Sequence, residues 1–269
     1  MITRQYSLNG DPSDRTSWRI SVLREKAGQG GSAAVQDRLR VGDMFDVRGP
    51  RNNFGPEESS EYLFIAGGIG ITPIQPMINS SVAAGARWRL VYGGRSRSSM
   101  ALIPELIEFG DAVHIHPQDE LGLLDLAAIL DSPASNTKIY CCGPEALLMA
   151  VEERAAVWPK GSLHVERFKA KPVDVASEAA DMAFEVVCEQ SGVTVSVAPD
   201  ESILEALEAA GLSPDNSCRE GICGTCETKV LDGIPEHRDS LLSDDERAAN
   251  DTMMICVGRA LCPRLVLDL

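Results

Sequence analysis

Four cysteines in this chain can do chemistry together. Cys218, Cys223 and Cys226 stand in Ser-Cys-Arg-Glu-Gly-Ile-Cys-Gly-Thr-Cys, and Cys256 follows in Met-Met-Ile-Cys. A C-x4-C-x2-C run with a distant fourth Cys is the ligand spacing of a plant-type 2Fe–2S cluster. Each iron needs two thiolates, so one tight loop supplies three ligands and a second element supplies the fourth. Gly221 and Gly224 let the backbone come close and turn its N–H groups toward sulfur. A zinc site usually pairs two short knuckles, and this chain has one. A Rieske centre needs two His in place of two Cys, and no His is suitably spaced. A disulfide framework does not suit a long chain without a secretory leader. Cys188 and Cys262 are expected to stay free.

Two further stretches can hold a dinucleotide. Gly67-Gly68-Ile69-Gly70-Ile71-Thr72-Pro73 follows an apolar run and precedes a helical pattern. Such a turn aims backbone N–H groups and a helix dipole at a pyrophosphate. It departs from G-x-G-x-x-G because Pro73 takes the third Gly position, and an ordinary strand–helix turn reads the same way. Cys142-Gly143-Pro144 ends a second apolar run, so both turns would face one crevice. Arg95-Ser96-Arg97-Ser98 follows another strand, where an adenosine ribose would lie. Basic residues there lean toward a 2′-phosphate and hence NADP; a solvated loop is the plain alternative. Near the start, Arg4-Gln5-Tyr6-Ser7 offers a phosphate fork and an aromatic face. Gly28 to Ser32, with Gly30 and Gly31, is glycine-rich and can form an anion nest.

The elements that would position these residues fall into three stretches. Residues 1–56 read as antiparallel, with strands at Ile2–Leu8, Trp18–Glu25 and Met44–Arg48. Residues 57–169 alternate strand and helix: strands Glu61–Ala66, Trp88–Tyr92, Ala112–His116 and Lys138–Cys142, and helices Ile74–Ala84, Ala101–Phe109, Leu124–Leu130 and Glu145–Val157. That alternation implies a parallel, doubly wound sheet with its ligand at the strands' C-terminal ends. Residues 170–182 read as a linker. In 183–269, a hairpin of Phe184–Glu189 and Thr194–Ala198 leads to helix Ser202–Ala210 and the cysteine loop. Strand Glu227–Leu231, helix Ser243–Ala249, strand Met253–Val257 and strand Leu265–Leu269 follow. This is the order of a β-grasp ferredoxin.

The net charge of −15 is unevenly spread. Ser177–Leu269 carries 6 Lys and Arg against 19 Asp and Glu, so −13 of it lies there. Nucleic acid is excluded as a natural partner for such a surface; a basic patch on an electron acceptor fits it. No run approaches the ~18 apolar residues of a membrane span. A soluble, cytoplasmic chain acting as a single copy is expected.

Taken in order, Arg-x-Tyr-Ser, Gly-Gly-Ser, Gly-Gly-Ile-Gly-Ile-Thr-Pro, Cys-Gly-Pro, Glu166-Arg167-Phe168 and the cysteine loop resemble the phthalate dioxygenase reductase family, which includes the vanillate demethylase reductases. The resemblance spans essentially the whole chain. It implies a multidomain fold: an antiparallel flavin barrel, an α/β NAD domain and a C-terminal 2Fe–2S ferredoxin. It implies FMN, with Arg4, Gly30, Gly31 and Ser32 at its phosphate, Tyr6 on its ring and Ser7 near its reactive nitrogen. Gly68, Gly70, Thr72, Pro73, Arg95, Cys142, Gly143 and Pro144 would serve the nucleotide, with Thr72 and Cys142 near the nicotinamide, and Phe168 would shield the flavin. Ser7 and Cys142 are thus the residues nearest the reacting atoms. The family mostly uses NADH, which outweighs the NADPH reading of Arg95 and Arg97. The implied reaction carries electrons from NADH through FMN and the cluster to the Rieske component of an aromatic oxygenase or O-demethylase. Only three residues precede Arg4, so an incomplete barrel and weakly held FMN are expected. A ferredoxin-type carrier with a vestigial flavin module is the rival reading, and a zinc-binding module is a distant third.

Overall fold

The apolar runs after residue 60 pair as one sheet in the computed structural model, which describes residues 3–25, 28, 30–171 and 182–269. Strands β1 (Glu61–Gly67), β2 (Arg87–Gly94), β3 (Val113–Pro117), β4 (Thr137–Cys142) and β5 (Leu163–Glu166) are all parallel, in the order β3-β2-β1-β4-β5. β1 is buried along almost its whole length because both its faces are covered. Tyr62, Phe64 and Ala66 enter one core with Ile71, Ile74, Tyr92 and Tyr140. Leu63 and Ile65 enter the other with Val91, Ile139, Leu148 and Val151. The order reverses between β1 and β4, so the crevice opens beyond Gly67 and Cys142.

Helix boundaries differ from expectation where caps and prolines decide them. An eight-residue helix, α1 (Gly31–Arg38), precedes the sheet. After a 3-10 turn at Gly68–Gly70, α2 runs over Ile71–Ala83, three residues ahead of the expected start. Pro73 falls in its first turn, where no N–H is needed, so it does not delay the helix. The helix expected at Ala101–Phe109 is instead the single turn α3 (Ile103–Leu106), which passes into a 3-10 stretch at Ile107–Ala112 where Gly110 turns to φ 59. One turn, α4 (Gln118–Leu121), follows β3. α5 (Leu126–Leu130) starts at its cap, the Asp125 carboxylate accepting from the Ala128 N–H at 3.1 Å. α6 is Glu145–Ala155. β5 had no clear sequence signal, because an edge strand half-buried throughout shows no alternation.

The antiparallel strands expected before residue 56 form no ladder among the described residues. One bridge, Leu8 to Ile20, is their sole pairing, with Asn9 N–H donating to the Arg19 carbonyl at 2.9 Å. The alternation of Trp18, Ile20 and Leu23 reads as a strand, yet a strand persists only where a partner takes its N–H and C=O groups. Trp18, Met44 and Phe45 are correspondingly 57%, 95% and 66% exposed. Residues nearer β1 do join the core: Phe54 packs edge-on to Tyr140 at 5.4 Å, and Tyr140 Oη accepts from the Glu57 N–H at 2.7 Å.

The chain resolves into two compact units, Tyr6–Glu166 and Arg167–Leu269, the latter grouping with the described part of Met1–Gln5. In the second, β6 (Phe184–Cys188) and β7 (Val193–Val197) form the expected hairpin, with Gly192 at φ 67 in its turn. α7 (Ile203–Ala209) is opened by a reciprocal Ser202/Glu205 cap. β8 (Glu227–Asp232) follows the cysteine loop, and β9 (Pro235–Glu236) pairs later with β11 (Arg259–Ala260). α8 (Asp244–Ala249) repeats the same cap with Ser243 and Glu246. β10 (Thr252–Met254) and β12 (Arg264–Leu267) complete a mixed sheet ordered β10-β8-β12-β6-β7. Its core joins Phe184, Val186, Ile203, Leu207, Met253 and Leu265. Arg259 is buried there, donating to the carbonyls of Glu201 (2.7 Å), Ala198 (3.1 Å) and Met182 (3.2 Å). Most of the expected linker, 172–181, lies outside the described residues.

Candidate electron-transfer and nucleotide sites

The cysteine loop leaves α7 and returns at β8. Cys223, Cys226 and Cys256 are buried and Cys218 is half-buried. Two backbone amides already point at sulfur: Glu220 N–H to Cys218 Sγ at 3.3 Å and Thr225 N–H to Cys223 Sγ at 3.4 Å. Gly221 and Gly224 hold φ of 68 and 71, and Arg219 joins them at 57. At Gly221 a side chain has no room, since a Cβ would lie 2.6 Å from Val257 Cγ2 and 3.0 Å from Asp239 Cα. Arg219 turns to Glu208 on α7 (2.5 Å) and to Asn216 Oδ1 (3.2 Å), bracing the loop. Hydrogen bonding with Cys218, then burial, pushes the Cys223 thiol up to about 12.

Asp239 is a supporting residue with no signal in the spacing. It is buried, and its Oδ1 accepts from the N–H groups of Leu241 (2.9 Å) and Leu242 (2.8 Å). The next amide, Ser240 N–H, donates to the Gly221 carbonyl at 2.9 Å. The loop is thus also held by contacts outside its cysteines. No three of the described His, Cys, Asp or Glu side chains converge as one metal ion requires. A two-iron cluster spreads its four thiolates in pairs, and this loop fits that group.

At the crevice of the parallel sheet the two turns touch. A Cβ on Gly70 would lie 2.2 Å from the Cys142 carbonyl oxygen, and one on Gly67 2.6 Å from Pro144 Cδ. Gly68 takes φ 55, and its carbonyl accepts from the buried Tyr92 hydroxyl at 2.9 Å. Thr72 is buried and its hydroxyl donates to the Ile69 carbonyl at 3.0 Å, which closes the turn. Pro73 is buried within α2, and Gly143 and Pro144 carry the chain into α6. Cys142 is fully buried, and burial holds its thiol well above the ordinary range. Cys141 lies in the opposite core.

Glu166, at the C-terminal end of β5, pairs in register with Cys142, its Oε2 4.0 Å from Sγ. Burial pushes this carboxyl from 4.5 up to about 7. Between those values the folded chain holds a proton that the unfolded chain has released, so stability falls as pH rises through the window. Glu166→Gln is therefore expected to raise the melting temperature at pH 8 and leave it nearly unchanged at pH 4. The ceiling is on the order of 3 kcal/mol. Equal shifts at both pH values would exclude the carboxylate as the cause.

The residues expected at a flavin are placed as follows. Gly30, at φ 80, caps α1, and Gly31 and Ser32 form its first turn. Ser32 Oγ accepts from the Glu25 N–H at 3.0 Å and keeps its own proton to donate. The N–H groups of that first turn suit a phosphate. Tyr6 and Ser7 are half-buried. Arg4 groups with the second unit and donates to the Thr3 carbonyl at 2.7 Å; Phe168 is in that unit too, 39% exposed. The first turn of α1 thus fits a phosphate, while a closed barrel is not formed by the described residues. Arg95 and Arg97 are exposed beyond β2.

The 2Fe-2S iron-sulfur cluster binding domain family (Fer2) matches residues 176–261. Phenoxybenzoate dioxygenase subunit beta of Ectopseudomonas oleovorans is 44% identical over 270 residues, which cover 100% of this chain and 83% of that protein. The solved phthalate dioxygenase reductase, described as a modular structure for electron transfer from pyridine nucleotides to [2Fe-2S], is 35% identical. Its TM-score is 0.67, and the match covers 98% of this chain and 83% of that one. The chain belongs to the phthalate dioxygenase reductase and vanillate O-demethylase oxidoreductase family. An intact type IV self-sufficient cytochrome P450 monooxygenase is also similar, 44% identical with a TM-score of 0.93 over the whole chain, which spans 35% of that longer polypeptide. The multidomain fold and the reductase class follow from family membership. Among the described residues no helix is long and apolar enough to cross a membrane.

Proposed function

We propose that this chain is the reductase component of a multicomponent oxygenase, oxidising NADH and delivering electrons singly to a Rieske component that acts on aromatic compounds. The observation that carries this is the presence, in one chain, of a four-thiol loop braced for a cluster and a strand-end crevice built from two interlocked turns. The dinucleotide's pyrophosphate would lie on the N–H groups of Gly68 to Gly70, its adenosine ribose toward Arg95, and its nicotinamide toward Thr72 and Cys142. FMN would be held by Ser32 and the first turn of α1, with Tyr6 and Ser7 on its ring. When bound, the flavin takes up an electron pair and releases it one electron at a time. Cys218, Cys223, Cys226 and Cys256 would hold 2Fe–2S. The chain's own work is positional: Tyr92 fixes the Gly68 carbonyl, Thr72 closes the turn, and Glu166 stands beside Cys142.

The visible spectrum of the purified protein tests this reading. Flavin and cluster bands that both bleach on anaerobic NADH addition are expected. Cluster bands alone, unaffected by NADH, would leave only the ferredoxin-type carrier. A second reading of the acceptor, a haem domain, is supported by the likeness to the self-sufficient cytochrome P450. Rates of reduction of a purified Rieske oxygenase and of a P450 haem domain by the reduced protein distinguish the two.

A further inference from the structure

Arg97 is spoken for. Its Nη2 lies 3.1 Å from Glu120 Oε2 and its Nε 3.4 Å from Oε1, so the guanidinium fork is filled by a carboxylate. Both partners sit on turns fixed by backbone bonds. Arg97 opens a 3-10 turn closed by a reciprocal Ser96/Ser99 cap. Glu120 is in α4, immediately beyond β3, and α4 is tied to the arginine loop by Asp119 N–H donating to the Arg95 carbonyl at 3.1 Å. Both side chains are about half exposed, so the pair adds little stability. Its position is the informative part. In a doubly wound sheet the loop after the second strand faces the adenosine ribose, where an acid favours a free 2′-hydroxyl and a base accepts a 2′-phosphate. Here the base is present and an acid cancels it.

We propose that Glu120 sets this chain's preference for a nucleotide without a 2′-phosphate, by occupying Arg97 and by presenting a fixed negative charge where that phosphate would lie. The proposal rests on the reading that the crevice takes a pyridine nucleotide. It reconciles the proposed NADH use with an Arg95 and Arg97 loop that reads as one for NADPH. A 2′-phosphate would have to displace Glu120 from Arg97 and then remain beside it. At ~5 Å and near-aqueous screening, repulsion of a near-dianion by one carboxylate amounts to roughly a tenfold loss of affinity.

The test is Glu120→Gln, alone and combined with Arg97→Ala. In ferricyanide reduction the single variant is expected to gain about tenfold in kcat/KM for NADPH, mostly through KM, with NADH changed less than about threefold. The double variant, which has neither the repelling carboxylate nor the guanidinium, should gain less than the single one. Calorimetric affinity for 2′,5′-ADP relative to 5′-AMP reads the same subsite without turnover and should rise similarly in Glu120→Gln. An unchanged 2′,5′-ADP to 5′-AMP ratio overturns the assignment, as does a gain as large in the double variant as in the single one. Absence of turnover with either nucleotide, alongside a normal rise in that ratio, counts against the reductase reading and upholds the Glu120 assignment.

Discussion

Replacing Cys256 with Ser is expected to abolish the rhombic EPR signal of the reduced protein, while replacing Cys262 leaves it intact. The reason is the division of labour around the loop. Cys218, Cys223 and Cys226 lie on one short segment, and Cys256 arrives from the turn after β10, where Ile255 N–H donates to the Cys226 carbonyl at 3.4 Å. If these four cysteines are the ligands, loss of Cys256 would leave one iron with a single thiolate. Losing an outer-shell partner typically costs a metal site about 10–100-fold in affinity, and loss of a ligand costs at least that. Cys262 has other company: it receives the Ile234 N–H at 3.2 Å and lies 3.0 Å from the Arg264 carbonyl. Reduction of a one-electron acceptor such as cytochrome c should collapse in Cys256→Ser and persist in Cys262→Ser. If the two variants behave alike, the ligand set is wrong.

The readings that came through from the sequence were local ones. Cysteine spacing is a local property, and the 2Fe-2S binding domain was legible from it. The Ser202 and Ser243 caps each close within three residues, so α7 and α8 start where the pattern placed them. Glu166, Glu120 and Asp239 were not singled out as contributors, because their roles come from chain returns. Glu166 meets Cys142 only through the β4–β5 register, and Glu120 meets Arg97 only because β3 lies beside β2. The N-terminal strands failed for the converse reason. Alternation at Trp18 and Ile20 specifies a face, but a ladder needs a second chain segment, and the described residues give it one bridge. At α1, the glycines hid a helix start, since Gly30 caps it from the left-handed region that the sequence reading had assigned to a nest.

Gly70→Ala is expected to disable the nucleotide crevice, and Gly68→Ala to impair it far less. The two glycines stand in one 3-10 turn, but for different reasons. Gly70 has an ordinary helical φ of −61, so alanine costs nothing in backbone conformation. Its difficulty is space: the new Cβ would sit 2.2 Å from the Cys142 carbonyl oxygen, 2.4 Å from the carbonyl carbon and 2.7 Å from the Gly143 nitrogen. These are backbone atoms of β4 and the turn beyond it, which cannot rotate aside as a side-chain tip can. Relief requires the two turns to separate, and with them the N–H groups that would face the pyrophosphate. Overpacking of a well-filled interior costs typically about 1–3 kcal/mol, and a backbone clash belongs at or above the upper end. Gly68 has the opposite problem. Its φ of 55 is left-handed, yet nothing lies within 4 Å of a Cβ there. Alanine then costs about 1–2 kcal/mol of conformational strain without moving β4. NADH affinity, read from the KM for ferricyanide reduction, should fall more than about tenfold in Gly70→Ala and only a few-fold in Gly68→Ala. Cluster absorbance separates this from global unfolding, because the ferredoxin unit has its own core and should keep its bands in both variants. Equal losses of NADH affinity would mean that the turn's φ, and not its contact with Cys142, is what the crevice requires.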